Sequence, residues 1–314
     1  RGDDCAWFVE DEETNQSNFK SDEKRLDSLQ AAINYQPTAV FVPGNHVPNS
    51  ISGLKVQVFH GLEWKKKGHF KIRGFFDLYC THGPRTTERF NQLADEYQYF
   101  HVRETGWPKL DPLFQTEAFT LETDLPVILF APTFSRRLTC ALECLEEIQQ
   151  IAAKRNYYWL VKFHPKMDPE SVEKYRAIEQ DNFRVVETDS VVPLLNRADI
   201  LLSDTSSIIG EFLLLGKPVV TYKNTHPGEY LIDVLSTDNI ESALSSALSG
   251  SDELIEEIRA ENERLHPYRD GRSSHRILEA VDQLLAAPIK LEKSKPLNLL
   301  RKFKLRQKLS YREP

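Results

Sequence analysis

The chain predicts an α/β protein of two doubly wound units whose parallel sheets face a central cleft. Three observations carry that expectation. Short, almost wholly apolar strand-like runs alternate with helix-patterned segments, the mark of parallel sheets covered on both faces. A length of 314 residues suits two separate cores. A second strand-and-helix series also starts afresh after the break at Trp107-Pro108-Lys109-Leu110-Asp111-Pro112 and the polar stretch that follows it. Strand-like runs fall at 39–42, 55–59, 127–131, 158–163, 183–186, 200–202 and 218–221, with shorter ones at 5–9 and 99–102. Helix-like runs fall at 21–33, 141–154, 168–178, 191–196 and 208–215. No repeat with a period of 20–50 residues is visible.

The expected organisation is an N-terminal, acceptor-side domain over 1–118, a C-terminal nucleotide-donor domain over 119–289, and a basic tail over 290–314. Arg1-Gly2 just before a strand looks like a helix end with its glycine cap, so a first strand and helix are expected upstream of residue 1. The tail carries nine Lys or Arg against two Glu. Its apolar residues recur at helical spacing between basic ones, which suits either contact with an anionic membrane surface or a final helix packing back on the first domain.

Composition excludes several classes. Hydrophobic content of 40% and charge of 28% describe an ordinary globular chain. A net charge of -7 argues against general nucleic-acid binding. The four cysteines lack CxxC spacing and any neighbouring histidine set, so neither a disulfide framework nor a metal site is expected, and a reducing cytoplasmic compartment is. No run approaches about 18 apolar residues, and no signal peptide is recognisable.

The chemistry-bearing residues sit where strands end. Ser203-Asp204-Thr205-Ser206-Ser207-Ile208-Ile209-Gly210-Glu211-Phe212 turns from a strand through small hydroxyl residues into a helix, leaving free amides where phosphate binds well. The same residues could equally be ordinary helix caps. Glu211 lies about one turn beyond Ser207, where a carboxylate could accept from ribose hydroxyls. His60 closes one strand and precedes Gly61 and Lys65-Lys66-Lys67. His164 closes another in the second unit, flanked by Lys162 and Lys166. An imidazole at a strand end suits a general base or a phosphate donor, and Lys65 suits phosphate charge. Arg136 or Arg137, in the loop after 127–131, could hold phosphate in two-pronged fashion. Gly106–Asp111 reads as a structural loop, and His46, His69, His82 and His226 have no supporting context.

Five blocks of this sequence resemble the CDP-glycerol glycerophosphotransferase family, which includes the teichoic-acid primases and polymerases and related capsule enzymes. His60-Gly61 with Lys65-Lys66 and Gly68 is similar to the family's His-Gly-Thr-Pro-Leu-Lys-Lys-x-Gly. Gly106-Trp107-Pro108-Lys109-Leu110-Asp111 is similar to its Gly-x-Pro-Arg-x-Asp, and Ile128–Phe134 to its Leu-Tyr-Ala-Pro-Thr-Trp/Phe. Phe163-His164-Pro165 resembles its Leu-His-Pro, and Asp204–Phe212 its Asp-Tyr-Ser-Ser block with a following acidic residue; Lys217–Tyr222 continues the likeness. Departures are Leu62-Glu63 for Thr-Pro, Thr205 for Tyr, and Thr225-His226 where an acidic residue usually follows.

The resemblance implies a GT-B fold of two Rossmann-like domains and transfer of glycerol phosphate, or a related alditol phosphate, from CDP-glycerol to a hydroxyl acceptor with release of CMP. It implies that His60 is the base on a glycan or lipid-linked acceptor and that His164 holds the transferring phosphate. Thr205, Ser206, Ser207, Lys65 and Arg136 would bind the donor phosphates, and Glu211 the ribose. No cofactor or metal is expected. The alternative is a GT-B glycosyltransferase or epimerase using a nucleotide sugar, which would release or retain a nucleoside diphosphate instead. The implied location is the cytoplasmic face of the cell membrane.

Overall fold

A computed structural model describes residues 2–9, 19–62, 68–287 and 290–308, with side chains described as far as residue 304. The second half holds a six-stranded, all-parallel sheet made of β7 (Val127–Phe130), β8 (Tyr158–Val161), β9 (Phe183–Val185), β10 (Ile200–Ser203), β11 (Val219–Tyr222) and β12 (Ile232–Val234). Its spatial order is β12-β11-β10-β7-β8-β9, which is the doubly wound 3-2-1-4-5-6 order counted from β7. Side chains alternate between two buried faces. Ile128, Phe130, Trp159, Val161, Ile200 and Leu202 enter one core with α3 (Ala141–Ala153), α4 (Pro169–Arg176) and α7 (Ile240–Ser249). Val127, Leu129, Leu160 and Leu201 enter the other with α5 (Val192–Arg197), α6 (Ile208–Leu213) and α8 (Asp252–Leu265). Burial on both faces is why these strands read as unbroken apolar runs.

The first half holds a four-stranded parallel sheet, ordered β3 (Ala39–Val42), β4 (Leu54–Gln57), β5 (Leu78–Thr81) and β6 (His101–Glu104). One face packs on α2 (Pro84–Tyr97) through Tyr79, Phe90, Leu93 and Phe100. The other face is covered by α9 (Ser273–Ala286), whose Ile277, Ala280, Val281 and Leu284 meet Val56, Leu78 and Cys80. Thus α9, although it lies within 119–289, returns to the first sheet. A short parallel pair, β1 (Trp7–Phe8) and β2 (Arg25–Leu26), packs beside α1 (Leu29–Tyr35).

The two halves are joined by more than the chain crossing. Arg85 of α2 donates two hydrogen bonds, 2.5 and 2.6 Å long, to the Glu261 carboxylate of α8, both side chains being nearly buried. The start of the tail follows the first half. Lys293 donates its amide to Gln98 O, Lys295 pairs with Asp77 at 2.6 Å, and the Asn298 amide reaches the carbonyls of Arg73 and Gly74.

The expected helix over 21–33 is corrected. Residues 25–26 form β2, and α1 starts only after Ser28, whose hydroxyl accepts the Ala31 amide and fixes the start. The strand and helix at β5 and α2, the edge strand β12, and the helices α7, α8 and α9 were not anticipated.

Asp204, at the carboxyl end of β10, holds the point where the strand order reverses. Its carboxylate is 1% exposed and accepts the amides of Thr133 and Cys140, each at 3.0 Å, and of Thr205 at 2.6 Å. Thr133 and Cys140 belong to the β7–α3 loop, so one side chain fastens the loops after the two central strands. Burial pushes the carboxyl upward, while the converging amides pull it back. Asp204 therefore does not cap α6. Replacing it by Ala leaves the three amides without their acceptor and should lower stability by about 3 kcal/mol in urea unfolding at neutral pH. An unchanged urea midpoint would show that this side chain is not what ties the loops.

Candidate functional site

A cavity of about 370 Å3 opens between the two halves, lined by residues of the first half, of the connector and of α6. His60 stands in its wall just beyond β4. Phe59, immediately before it, has φ 59°, a left-handed backbone that a bulky residue adopts only when its surroundings impose it. The cause is visible. The Phe59 carbonyl accepts the Trp107 indole N–H at 3.3 Å, and the Phe59 ring stacks on His69 at 5.0 Å and meets His82 edge-on at 5.2 Å. The turned backbone presents His60 to the cavity. Its Nδ1 lies 3.1 Å from Pro43 O. A carbonyl can only accept, so Nδ1 carries a hydrogen, and in the neutral ring Nε2 is the nitrogen with the lone pair.

The connector is pinned at both ends. The Trp107 amide donates to His266 Nε2 at 2.9 Å. Gly106, at φ 79°, is needed there, because a Cβ would lie 2.5 Å from Ser273 Oγ and 2.8 Å from His266 Nε2. Asp111 accepts the amides of Ser273 and Ser274, each at 2.8 Å, and the Ser274 hydroxyl at 2.7 Å, closing the start of α9. The structural reading of this loop thus holds for Gly106, Trp107 and Asp111. Between them, on the 3-10 helix Pro108–Phe114, Lys109 extends into the cavity wall and donates to Glu211 Oε1 at 2.7 Å.

Ser207 and Glu211 bring the second half to the same cavity. Ser207 precedes α6 with helical dihedrals and makes no side-chain capping bond, so its exposed hydroxyl is not spent on the helix. Thr205 and Ser206 lie one step behind. The Thr205 hydroxyl accepts the Thr225 amide at 3.1 Å, and the Asn224 side chain donates to Asp204 O at 2.6 Å. These bonds lace the loops after β10 and β11 together.

The other expected residues lie elsewhere. His164 is exposed beyond β8, outside the cavity lining, with its ring stacked 4.3 Å from Phe134. Its Nδ1 accepts the Lys166 amide at 3.0 Å, which leaves Nε2 to carry the hydrogen. Partial burial and the charges of Lys166 and Lys162 hold its pKa below the ordinary histidine value, favouring the neutral ring. Arg136 is exposed on the β7–α3 loop, near enough to Asp168 for its charge to help lower that carboxyl. Lys65 lies outside the described residues.

Sequence reading gave no role to Lys109, to the half-buried His69 or to the buried His82, and did not name the buried His266. Burial pushes His69 and His266 down to about 4 and lowers His82 well below its ordinary value, so all three are neutral rings; His69 lines the cavity, while His82 and His266 pack against Trp107. His82 ends β5 just as His60 follows β4. That signal existed in the sequence but was hidden while β5 itself went unread.

Residues 53–283 match the family model described as CDP-Glycerol:Poly(glycerophosphate) glycerophosphotransferase. The chain is 25% identical over 264 residues to a teichoic acid glycerol-phosphate primase of Bacillus subtilis (strain 168), covering 71% of this chain and 68% of that protein. It is 28% identical over 213 residues to the teichoic acid ribitol-phosphate polymerase TarK of Staphylococcus aureus, covering 57% of this chain and only 41% of the polymerase. Among solved structures it is similar to the wall teichoic acid polymerase TagF, with a TM-score of 0.64, 15% identity, and 91% and 82% of the two chains covered. It is also similar to a UDP-N-acetylglucosamine 2-epimerase, with a TM-score of 0.58, 16% identity, and 85% and 80% covered. These likenesses make the fold GT-B. With a family model spanning most of its length, the chain belongs to the CDP-glycerol:poly(glycerophosphate) glycerophosphotransferases, enzymes of teichoic-acid synthesis.

Proposed function

We propose that the chain moves glycerol phosphate, or a related alditol phosphate, from a CDP-linked donor to a hydroxyl of a glycan or lipid-linked acceptor. The observation that carries this reading is one cavity with a basic imidazole nitrogen on one wall and the Ser207 and Glu211 side chains on the other. In this account the nucleotide lies on the second half, its ribose hydroxyls on Glu211 and its phosphates on Thr205, Ser206 and Ser207. His60 Nε2 takes the proton of the acceptor hydroxyl. The acceptor oxygen then bonds to the distal phosphorus as the bond to the bridging oxygen breaks, and CMP departs with that electron pair. Positioning and charge stabilisation carry such a transfer, and protein nucleophiles are not required. His164 presents Nε2–H, and Arg136 its guanidinium, from the rim toward the phosphates, with Lys65 a further cation for them. Family membership favours this reading over the nucleotide-sugar alternative.

No described helix is long and apolar enough to cross a membrane. We place the enzyme on the cytoplasmic membrane face through α10 (Leu299–Lys308). Leu297, Leu299, Leu300 and Phe303 are 73%, 68%, 80% and 59% exposed, beside Arg301, Lys302 and Lys304. Exposed apolar side chains among cations suit the surface of an anionic bilayer.

Two measurements check the account. His60→Ala should lower kcat for CMP release by about 10²-fold or more with an unchanged melting temperature, and His164→Ala should also lose turnover while staying folded; near-normal rates in either variant would remove that residue's role. Truncation after Asn298, which spares the Lys295–Asp77 and Asn298–Arg73 contacts and removes the Arg301 hydrogen bond to Arg73 O, should cut binding to anionic vesicles about tenfold, in a salt-sensitive way. Equal binding would leave α10 as a packing element.

A further inference from the structure

We propose that Lys109 is a catalytic residue whose ammonium meets the non-bridging oxygens of the phosphoryl group in transit, between the acceptor oxygen activated at His60 and the departing nucleoside monophosphate. The inference rests on the donor reading above and adds to it the cation of the cavity itself.

Three lysines of this chain show the contrast that points to Lys109. Lys55 is buried, and its ammonium donates to the carbonyls of Ile51, Ser52 and Gly53 at 2.6, 3.1 and 2.7 Å. Lys217 likewise donates to Leu195, Asn196 and Ala198 at 3.4, 2.8 and 2.7 Å, tying down the end of α5. Each of these cations is consumed by backbone. Lys109 is the opposite case. Its side chain is 61% exposed, and among the described residues it makes one hydrogen bond, to Glu211.

Its stem, however, is fixed. The Trp107 amide is held by His266 two residues before it, and the Asp111 carboxylate is held by the start of α9 two residues after it. The Trp107 ring, 5.2 Å from the ammonium, adds a cation–π contact. A free cationic tip on a braced backbone, set into a cavity wall, is the construction a binding group requires. It is not needed for packing.

The partner shows what the cation waits for. Glu211 has only 10% of its side chain exposed, and a carboxylate so placed is poorly tolerated without a compensating charge. Lys109 supplies that charge in the free chain. When ribose hydroxyls share the carboxylate, the ammonium has two further N–H donors for anionic oxygens. Those oxygens belong to the diphosphate, which adjoins the ribose. His60 and Lys109 line one cavity, whereas His164 and Arg136 stand outside its lining. Lys109 is therefore the described cation best placed to meet the distal phosphorus. In the step itself, the acceptor O–H proton goes to His60 Nε2 and the acceptor oxygen–phosphorus bond forms. The bridging bond then breaks toward CMP, and Lys109 stays charged throughout.

The test uses the whole chain, CDP-glycerol as donor, a short poly(glycerophosphate) oligomer as acceptor, and calorimetric titration with CDP-glycerol and with CMP. Lys109→Gln should lower kcat by about 10²-fold. It should weaken CDP-glycerol about tenfold while leaving CMP within about twofold, because CMP lacks the distal phosphate. Lys109→Arg should recover at least about tenfold of the lost rate, since it restores the charge. The proposal is overturned if Lys109→Gln keeps kcat within about threefold of the parent, or if CMP and CDP-glycerol weaken equally, which would make the residue a mere support for Glu211. If the parent chain releases no CMP from CDP-glycerol, the donor reading falls, and this inference falls with it.

Discussion

The geometry depends above all on the hydrogen bonds of Trp107. Its amide is anchored to His266 and its indole N–H to the carbonyl of Phe59. The second bond reaches the residue whose left-handed backbone turns His60 into the cavity, and the first fixes the connector that carries Lys109 toward Glu211. One buried side chain thus relates the basic nitrogen of the first half to the hydroxyl and carboxylate of the second. His69 in the cavity wall and His82 and His266 beside Trp107 are kept neutral by burial, so no extra buried charge competes with the anionic ligand's partners.

Asp204 plays the matching part in the other lobe. It opens the run of polar residues that a sequence reader takes first for a phosphate cradle, yet its carboxylate is spent on three backbone amides. Its effect is to hold the two central loops so that Ser207, free of any capping bond, faces the cavity. The run therefore divides into a residue that builds the site and residues that line it. Hydroxyl groups at a helix start are ordinarily ambiguous between capping and binding, and here the absence of a side-chain cap bond leaves Ser207 available.

Much of the architecture was legible because parallel strands buried on both faces leave continuous apolar runs, and the six-stranded sheet was found almost entirely that way. The first sheet was harder. β3, β4 and β6 were read at 39–42, 55–59 and 99–102, but the Leu78-Tyr79-Cys80-Thr81 of β5 mixes polar and apolar residues and lacks an apolar run. The helix expected over 21–33 failed because Ser28 starts a new helix inside that stretch. Of the candidate site, His60, Ser207 and Glu211 were readable from strand-end position and spacing. Lys109 was named only within a loop read as structural, since its contact with Glu211 spans 102 residues of sequence. His164 and Arg136 were found by the same strand-end logic but are exposed and outside the cavity lining.

The most direct test is a crystal of the protein soaked with CDP-glycerol. The account predicts ribose hydroxyls against Glu211, the diphosphate at Ser206 and Ser207, and the distal phosphorus facing His60 Nε2 inside the cavity beneath Trp107. Nucleotide density bound away from that cavity, or with its distal phosphate turned from His60, would contradict it.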